Sequence, residues 1–407
     1  MSDPIVWFVP PEAPVAHTPL EFAALWLGRV LMALAAASLI YTLLAWVASA
    51  RYRRARRREL ASAPGFAPPV SILKPLKGAD PALAEALRSH CRQEYPGGFE
   101  LLCGVAAPED PAAGIVAALR AEFPALPIRL VLCPERLGAS GKVSTLIQLA
   151  RQAQHEFLLI SDGDILVAPG YLARVMGGFQ DASVGLVTAL YRGRPGRSLW
   201  SRLESMTIST DFQPGVLTAL LLERGLHFAL GSTLALRRTA LTAIGGLEPM
   251  VDRLADDYEM GVRVARAGFR IALAPVVVET AVPEYGWQAF LAHQLRWLRT
   301  VRDSRRLGYL GLLFTHPVAL ALLAALATGF SFWSLWLLVL ALLLRLSLAM
   351  QTGVATLGDR ALLGDMWLLP VRDVIAFALW LASFASNRIE WRGQHFLLRR
   401  GTLTPVE

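Results

Sequence analysis

Acidic side chains recur through the middle of this chain at positions that could gather around a phosphate-bearing substrate. Asp162 and Asp164 flank Gly163 directly after an apolar run, and Asp110 and Asp257 lie before and after this turn. Glycine lets the backbone fold so that both carboxylates of the turn face one point, and hard oxygen ligands of this kind suit Mg²⁺ or Mn²⁺. The alternative is an ordinary acidic turn, because Asp-Gly is a common turn pair.

The local sequence around Asp257 leaves two interpretations open. Asp257 lies in the segment 254–260, where a helix begins. Carboxylates in a first helical turn usually cap the helix and complement its dipole. A carboxylate at the mouth of a pocket can instead accept the proton of an attacking hydroxyl group. The position of Asp257 relative to the other acidic residues has to decide between them.

Basic and aromatic residues follow in the segment 288–301, which has the pattern of a helix that precedes the membrane. Arg296 can grip a phosphate through its fork of donors, and Trp297 can form a wall of the pocket. Arginine and tryptophan are also common at membrane interfaces without any catalytic part. His293 nearby is predicted to make a polar contact rather than to act as a second base. Lys142 is a further candidate for phosphate or nucleotide contact.

The elements that position these residues follow the rhythm of an α/β domain. From about residue 68 to 300, short β-branched runs alternate with polar, helix-like stretches, which is typical of a mostly parallel sheet. The predicted strands are 70–74, 101–105, 128–132, 157–161, 185–190 and 228–236, and the predicted helices include 81–93 and 143–154. Ligands bind at the carboxyl ends of such strands. Asp110 and the Asp162 turn fall on that edge.

An apolar run at residues 30–50 is long enough to cross a bilayer as a helix. Six arginines follow within residues 51–58. Because positive charge stays in the cytoplasm, the N-terminus is predicted outside and the α/β domain inside. A cleaved signal peptide, with Ala48-Ser49-Ala50 as its cleavage site, is the rival interpretation. The run is too long for that, and its basic flank is on the wrong side.

Three more apolar segments, at 310–328, 330–350 and 362–384, follow the α/β domain. The third contains Arg372 and Asp373, and such a charge pair at membrane depth requires either mutual neutralisation or a position in the membrane plane. Arginines in the tail after it favour the cytoplasm. We therefore predict two full crossings with the third segment re-entrant or interfacial, and keep three crossings as the alternative.

Composition narrows the function classes. The sequence has 407 residues, 54% of them hydrophobic, with a mean hydropathy of +0.44, and the apolar residues are concentrated in blocks. The net charge of +8 comes from arginines beside these blocks, so anionic lipid headgroups rather than nucleic acid are the expected partner. Three cysteines without CxxC spacing predict neither a disulfide framework nor a zinc site.

Taken in order, these segments resemble a known enzyme family. The matching segments are 70–78, 108–111, 160–162, 255–258 and 296–297. The chain resembles the ceramide glucosyltransferase family of inverting GT-A enzymes from about residue 69 to 401. Further segments are most similar to the hopanoid-biosynthesis glycosyltransferase branch, namely 191–193, 198–204, 210–212, 214–216, 293–297 and 391–393.

The resemblance implies a division of labour among the candidate residues. Asp110 and Lys142 would contact the nucleotide, with His293 as a further substrate contact. Asp162 and Asp164 would hold the divalent cation and the diphosphate, and Asp257 would be the catalytic base. Arg296 and Trp297 would complete the pocket. The chain departs from the family where it has His293 in place of Gln or Arg, and where it has Ser140-Gly141-Lys142 in place of Asn-Pro-Lys.

The resemblance also implies the reaction and its location. Family members transfer a sugar from a UDP-sugar to a lipid hydroxyl, here N-acetylglucosamine or glucose onto a hopanoid polyol or a ceramide-like lipid. The implied fold is a cytoplasmic GT-A domain with a Rossmann-like, mostly parallel sheet and with transmembrane helices at both ends. The implied location is a bacterial inner membrane. The alternatives are a processive polysaccharide synthase, for which there are too few membrane segments, and a non-catalytic lipid-binding protein on a transferase fold.

These patterns divide the chain into six regions. They are an extracytoplasmic segment at 1–29, a transmembrane helix at 30–50, a basic linker at 51–67, the GT-A domain at 68–306, a C-terminal membrane region at 307–386 and a basic tail at 387–407.

Overall fold

A computed structural model describes residues 19–63, 65–284, 286–391, 394–399 and 401–405, so most of the predicted extracytoplasmic segment lies outside the described residues. The helices are α1 Pro19–Leu60, α2 Leu83–Cys91, α3 Ala112–Glu122, α4 Gly141–Gln152, α5 Tyr171–Gly177, α6 Leu199–Thr207, α7 Gln213–Leu222, α8 Arg238–Ala243, α9 Asp256–Arg266, α10 Trp287–Ser304, α11 Arg306–Gly311, α12 Pro317–Ala327, α13 Phe332–Ala349, α14 Leu362–Asp365 and α15 Leu369–Ser383. The strands are β1 Val70–Pro75, β2 Phe99–Val105, β3 Ile128–Leu132, β4 Phe157–Ile160, β5 Ile165–Leu166, β6 Val184–Arg194, β7 Leu234–Arg237, β8 Arg270–Ala281, β9 Arg388–Trp391, β10 Gln394–Arg399 and β11 Thr402–Pro405.

The central sheet confirms the predicted α/β class. Its order is β3-β2-β1-β4-β7-β6-β8-β5. The first four strands in this order are parallel neighbours. Strands β1, β2 and β4 are buried along nearly their whole length, whereas in β3, at the edge of the sheet, only Ile128 is buried. The second half is mixed, since β7 runs antiparallel to both β4 and β6. The predicted strand at 228–236 is shorter in the structure, where only Leu234–Arg237 joins the sheet.

The parallel arrangement brings the ends of β1 and β4 to the same edge. Val70 pairs with Phe157 and Leu73 with Ile160, so the loops after both strands leave side by side. Helix α4 begins at this edge, where the Ser140 hydroxyl caps it by accepting a 3.3 Å hydrogen bond from the Val143 amide. The carboxyl edge of the sheet is therefore the place where the predicted site residues can meet.

Helix α1 is longer than the predicted membrane segment. It has 42 residues, which correspond to about 63 Å at 1.5 Å per residue and exceed the hydrocarbon thickness of a bilayer. The predicted basic linker is thus helical as far as Leu60. Two of its arginines are fixed to neighbouring segments, because Arg56 donates to the carbonyls of Pro275 and Thr356 and Arg53 contacts Gln351.

Three described helices are long and apolar enough to cross a membrane: Phe22–Leu60, Phe332–Val354 and Leu362–Ser383. A bent pair, Arg306–Thr315 with Pro317–Ala327, passes the same test when it is taken as one span. The bend of 64° lies at His316, directly before the proline that begins α12. The predicted span at 310–328 is therefore broken, whereas the segment at 362–384 is a nearly continuous helical stretch.

Contacts along α1 show how deep the neighbouring segments lie. A Cβ on Gly28, near the start of α1, would be 2.8 Å from the Thr328 methyl carbon, so the connection between α12 and α13 lies at that end. Ser38, ten residues on, donates a 2.7 Å hydrogen bond to the Phe314 carbonyl at the bend. Ser49, near the basic end, lies 2.7 Å from the Thr352 hydroxyl. The broken pair and α13 thus run in opposite directions along α1.

Both ends of the third apolar segment return to the α/β domain. Near its start Asp365 is paired with Arg202 of α6, and near its end the Ser383 carbonyl accepts a hydrogen bond from Arg302 of α10. Between these ends the segment packs on α6 and α10 through buried side chains, including Leu203, Leu369 and Leu379. This course fits a helix that lies along the membrane face of the domain.

The charges predicted to be costly at membrane depth are paired. Arg345 of α13 and Arg372 of α15 both contact Asp373 and Asp211, the second of which lies in a short π-helical turn between α6 and α7. The distance from Arg345 Nε to Asp373 Oδ2 is 2.7 Å. Two cations and two carboxylates therefore neutralise each other where α13, α15 and the domain meet.

The tail after α15 forms a small antiparallel sheet of β9, β10 and β11. Its buried residues Ile389, Phe396 and Leu398 pack against Ala139 and Leu254 of the α/β domain. The sheet thereby lies against the two loops that precede α4 and α9.

Candidate active site

A buried lysine of β1 holds the turn after β4 in place. Lys74, which is fully buried, donates hydrogen bonds to the Ser161 hydroxyl at 3.0 Å and to the Asp162 carbonyl at 2.8 Å. Burial lowers the pKa of Lys74 to about 8, although the Asp164 and Asp162 carboxylates oppose that shift. On the other side of the turn, Asp164 Oδ2 accepts a 2.5 Å hydrogen bond from the Thr280 hydroxyl. Neighbouring strands thus hold the backbone of Asp162 and the carboxylate of Asp164.

Lys142 joins the two acidic segments of the site. Its Nζ lies 2.8 Å from Asp162 Oδ1 and 3.3 Å from Asp256 Oδ2. Burial alone would lower the pKa of Lys142, but the Asp162 and Asp256 carboxylates raise it above its ordinary value. The lysine therefore stays charged at the point where the loop after β4 meets the start of α9.

Asp257 is adjacent to this ion pair and has a perturbed pKa. Burial, and then the neighbouring Asp256 carboxylate, raise the pKa of Asp257 to about 6, against the opposing effect of Lys142. Its Oδ1 accepts a 2.8 Å hydrogen bond from the Tyr258 amide. Its Oδ2 faces Gly231, where a Cβ would come within 2.9 Å. A buried carboxylate whose pKa is raised to about 6 is suited to proton transfer.

The Asp162 and Asp164 pair fits a divalent cation that takes its remaining ligands from a substrate. Burial, and then the Asp162 charge, raise the pKa of Asp164, so the two carboxylates repel each other in a way that a cation would relieve. Within the described ranges no group of three or more His, Cys, Asp or Glu side chains could hold a metal ion alone. Mg²⁺ and Mn²⁺ commonly use one or two carboxylates together with phosphate and water.

Asp110 lies at the same edge and organises two loops. Its Oδ1 accepts hydrogen bonds from the Gly78 amide and the Ala112 amide, each at 2.9 Å. Gly78 has a φ of +74°, a conformation that side-chain-bearing residues rarely adopt. Asp110 thus ties the loop after β1 to the loop after β2, close to the place where a nucleotide would lie in a parallel sheet.

A ladder of rings runs from β6 to α10 on the membrane side of the cleft. The ring of Tyr191 lies 5.6 Å from Phe212, Phe212 lies 5.8 Å from Trp297, and Trp297 lies 5.6 Å from His293. Burial raises the pKa of Tyr191, and the Asp257 and Glu204 carboxylates raise it further. Tyr191 lies two residues after Ala189, whose carbonyl accepts a 3.4 Å hydrogen bond from the Ser232 hydroxyl, and Ser232 follows Gly231, which Asp257 faces.

His293 is held by a carboxylate that the sequence patterns did not single out. Its Nδ1 lies 3.0 Å from Glu204 Oε2, and the Gln294 amide donates to the same oxygen at 3.3 Å. Glu204 is buried, with only 4% of the residue exposed. The available signal was a glutamate on the apolar face of α6, between Leu203 and Met206, which also pack in the core there.

The structure thus brings several of the predicted residues together. Lys142, Asp162 and Asp257 converge, and Asp256 is an additional member whose pairing with Lys142 the sequence did not predict. Arg296 lies on α10 directly before Trp297, where its carbonyl accepts a 2.7 Å hydrogen bond from Thr300. The phosphate-binding role of Arg296 stays a prediction.

The fold and the site define an α/β protein with candidate membrane-spanning helices and an acidic cluster at the carboxyl ends of its strands. The sequence profile of Glycosyl transferase family 21 matches residues 30–404, and the chain belongs to this family. The resemblance to ceramide glucosyltransferases is thereby confirmed.

Similar curated proteins include ceramide glucosyltransferases. Ceramide glucosyltransferase 1 from Caenorhabditis elegans is 26% identical over 51% of this chain and 44% of its own length. Ceramide glucosyltransferase from Komagataella phaffii (strain GS115 / ATCC 20864) is 31% identical over 26% of this chain and 21% of its own length. The chain spans about half or less of the length of the curated relatives that it matches.

Solved structures with a similar fold are glycosyltransferases. The mannosyltransferase PcManGT from Pyrobaculum calidifontis, in complex with GDP-Man and Mn²⁺, is 23% identical, with a TM-score of 0.49, over 86% of this chain and 98% of that one. S. aureus TarS 1-349 in complex with UDP-GlcNAc is 13% identical, with a TM-score of 0.40, over 83% of this chain and 99% of that one.

Proposed function

We propose that this protein is an inverting glycosyltransferase that moves N-acetylglucosamine or glucose from a UDP-sugar to a membrane lipid hydroxyl. Membership of Glycosyl transferase family 21 supports sugar transfer, and the names of the ceramide glucosyltransferase relatives support a lipid acceptor. The observation that carries the proposal is the junction at Lys142, which brings Asp162 and the start of α9 with Asp257 to one point. The acceptor class is a hopanoid polyol or a ceramide-like lipid.

Asp257 is the base in this mechanism. With its pKa raised to about 6, the carboxylate is ionised at neutral pH and is still basic enough to take the proton of an acceptor hydroxyl. The hydroxyl attacks the anomeric carbon in line with the departing UDP, so the configuration inverts in a single displacement. No covalent sugar intermediate on the protein is expected.

The diphosphate lies beside Lys142 in this mechanism. Lys142 supplies a positive charge, because its carboxylate partners keep its amine protonated. Arg296 supplies the fork of hydrogen-bond donors of its guanidinium group from α10. Asp162 and Asp164 would hold Mg²⁺ or Mn²⁺, which when bound neutralises charge on the leaving diphosphate. Asp110 orders the loops beside the nucleotide, with His293 and Trp297 on the lipid side.

The membrane arrangement that accompanies this function has the α/β domain in the cytoplasm of a bacterial cell, on its inner membrane. In this arrangement α1 crosses inward, the broken pair α11 and α12 crosses outward, α13 returns, and α15 lies along the membrane face. The depth contacts along α1 and the return of both ends of the third segment to the domain support it. The tail sheet would then be cytoplasmic, as its packing on Ala139 and Leu254 requires.

The decisive experiment removes the proposed base. The full chain in nanodiscs is supplied with labelled UDP-glucose or UDP-N-acetylglucosamine and a bacterial lipid extract, and the labelled glycolipid is measured. Asp257→Asn should lower the rate by about a hundredfold to ten-thousandfold while UDP binding, measured by thermal shift, is retained. The matched control is Asp181→Asn, which makes the same chemical change in an exposed ion pair with Arg270 at the opposite edge of the sheet. Full turnover by Asp257→Asn would exclude the proposed base.

A further inference from the structure

The loops that lead into α4 and α9 are joined directly to each other. The Ser140 amide donates a 2.7 Å hydrogen bond to the Val251 carbonyl. The Ala139 amide donates a 2.8 Å hydrogen bond to Asp252 Oδ1. A Cβ on Gly138 would come within 2.7 Å of Asp252 Oδ1 and of a Val251 methyl carbon, so the loops are as close as a glycine permits. The starts of the two helices are therefore held at a fixed separation.

This separation sets the geometry of the proposed catalytic junction. Lys142 lies in the first turn of α4 and Asp256 is the first residue of α9, and their side chains meet at 3.3 Å. Lys142 also lies 2.8 Å from Asp162 of the proposed cation site. The proposed base Asp257 follows Asp256 directly. A shift of one loop relative to the other would thus move the base relative to the leaving diphosphate.

The tail sheet of β9, β10 and β11 covers both loops. Its buried residues Ile389, Phe396 and Leu398 pack against Ala139 of the loop before α4 and Leu254 of the loop before α9. One apolar cluster therefore includes the tail and both of the loops that lead to the junction.

Backbone pairing attaches the tail to the loop before α9 a second time. The Leu254 amide donates a 3.4 Å hydrogen bond to the Gly401 carbonyl, and Arg253 forms an antiparallel bridge with Thr402. The Gly401 amide donates in turn to the Asp303 carboxylate in the last turn of α10. The turn between β10 and β11 therefore connects the loop before α9 to α10.

The start of the tail is fixed to α10 as well. Arg299 donates a 2.6 Å hydrogen bond to the Arg388 carbonyl, and Arg302 donates a 3.0 Å hydrogen bond to the Ser386 carbonyl. Helix α10 also carries Arg296, which is proposed to bind the diphosphate. The tail thus fixes the two loops relative to each other and to this helix.

We propose that the tail sheet and the Asp252 carboxylate are positioning elements for sugar transfer, which hold the starts of α4 and α9 at the separation that the reaction requires. The inference rests on the proposed function, in which the base follows Asp256 and the diphosphate lies beside Lys142. Asp252 acts through the Ala139 amide and is a positioning residue. The tail stays docked on the two loops throughout turnover.

The first test locks the tail in place with Arg253→Cys and Thr402→Cys in the full chain in nanodiscs. Because the Leu254 amide bonds to the Gly401 carbonyl, positions 253 and 402 form a non-hydrogen-bonded pair with Cα atoms about 4.5 Å apart, which a disulfide can join. The oxidised form should keep a kcat within about twofold of the reduced form, measured as labelled sugar transfer to a bacterial lipid extract. The wild type, whose cysteines are buried, receives the same oxidant as the control. A fall of about tenfold on oxidation would show that the tail must leave during turnover, and would overturn the proposal.

The second test weakens docking in the same double variant. Leu398→Asn places a polar amide in the buried cluster with Leu254, so less disulfide should form at a given oxidant concentration. The kcat of the reduced protein should fall about tenfold, because small displacements in an active site are costly, and full oxidation should restore most of it. Thr404→Asn is the matched control, because Thr404 is an exposed residue of β11, and it should change neither quantity.

The third test removes the contact between the loops. Asp252→Ala should lower kcat about tenfold, while the Kd for UDP stays within about threefold of the wild-type value. Asp252→Asn can still accept the Ala139 amide hydrogen bond through its side-chain oxygen, and should retain kcat within about twofold. The matched control is Asp181→Ala, which removes an exposed carboxylate that accepts a 2.9 Å hydrogen bond from the Ser183 amide.

The outcomes separate this inference from the proposed function. If the wild type transfers sugar, and Leu398→Asn reduces disulfide formation without lowering kcat, the positioning role of the tail is wrong and the transferase function stands. If Asp252→Ala lowers activity only in proportion to a loss of UDP-binding sites, the contact stabilises the fold and its positioning role is wrong. If the wild type transfers sugar to no lipid of the extract, the proposed function falls and this inference falls with it.

Discussion

Two charge clusters in this protein have similar composition and opposite character. At the membrane, Arg345 and Arg372 face Asp211 and Asp373, and each charge is hydrogen-bonded to an opposite charge. At the carboxyl edge of the sheet, Lys142 is shared by carboxylates that outnumber it. The first cluster is electrically neutral, whereas the second has an excess of negative charge.

The difference in net charge distinguishes a cluster that stabilises the fold from one that can bind a substrate. In a neutral, buried network each polar group already has a hydrogen-bond partner, so no group is left to bind a substrate. In the cleft, burial, and then the neighbouring charge of Asp162 or Asp256, raise the pKa of Asp164 and of Asp257, respectively. Such carboxylates gain by binding a cation or a proton, which is what the proposed reaction requires.

The largest expected effect comes from removing one charge from the neutral cluster at the membrane. Arg345→Met leaves Asp211 and Asp373 with a single cation between them, and removal of one partner from a buried ion pair costs about 3–5 kcal/mol. We expect loss of most folded protein, measured as the monodisperse fraction after extraction in mild detergent. The double variant Arg345→Met with Asp373→Leu removes one charge of each sign and should recover much of that yield. Equal yields for the single and double variants would contradict the balance argument.

The same type of change in the cleft should cost activity and leave the yield intact. Asp164→Asn removes a cation ligand, so the Mn²⁺ or Mg²⁺ concentration for half-maximal sugar transfer should rise at least about tenfold. The measurement is a metal titration after treatment with a chelator, with Asp181→Asn as control. Full wild-type activity in the presence of a chelator would show that the reaction does not need the cation.

A smaller effect should be seen in the pH dependence of the rate. Because the pKa of Asp257 is raised to about 6, the base is mostly protonated below that pH and the rate falls with acid. We expect kcat to be about tenfold lower at pH 5 than at pH 7.5. The profile is measured at saturating donor and acceptor, and Asp181→Asn should keep the same acid limb. A rate that is constant between pH 5 and 7.5 would argue against Asp257 as the base.

The comparison also shows what the sequence can predict. The strands 101–105 and 157–161 were readable because strands buried on both faces are continuous apolar runs. The strand 128–132 lies instead at the edge of the sheet, where only Ile128 is buried. The antiparallel β7 was overestimated in length, since its first residues are buried for reasons of packing without joining the sheet. The continuation of α1 beyond residue 50 was predicted as a linker. A run of arginines is compatible with a helix, because arginine is a good helix former, and equally with a basic linker.

Site residues were predictable where local sequence carries the chemistry. Asp162 and Asp164 lie two positions apart in one turn, and their closeness follows from the chain itself. The pairings of Lys142 with Asp256 and of His293 with Glu204 join residues 114 and 89 positions apart, respectively, and depend on tertiary packing. No periodicity or spacing encodes such contacts. Mutual neutralisation of Arg372 and Asp373 was one of the two predicted alternatives, whereas the partners Arg345 and Asp211 were not predicted.

The smallest effect, and the most specific to the cleft, concerns folding stability. The folded pKa of Asp257 is above its ordinary value, so the protonated form favours folding and that stabilisation is lost as pH rises from about 4 through 6. Asp257→Asn mimics the neutral form and can still accept the Tyr258 amide hydrogen bond. It should therefore unfold a few degrees higher than the wild type at pH 7.5 and at nearly the same temperature at pH 4.5. The measurement is thermal denaturation in detergent at both pH values. A variant that is less stable at pH 7.5 would mean that the Asp257 charge is compensated as fully as the charges at the membrane, and the contrast between the two clusters would be lost.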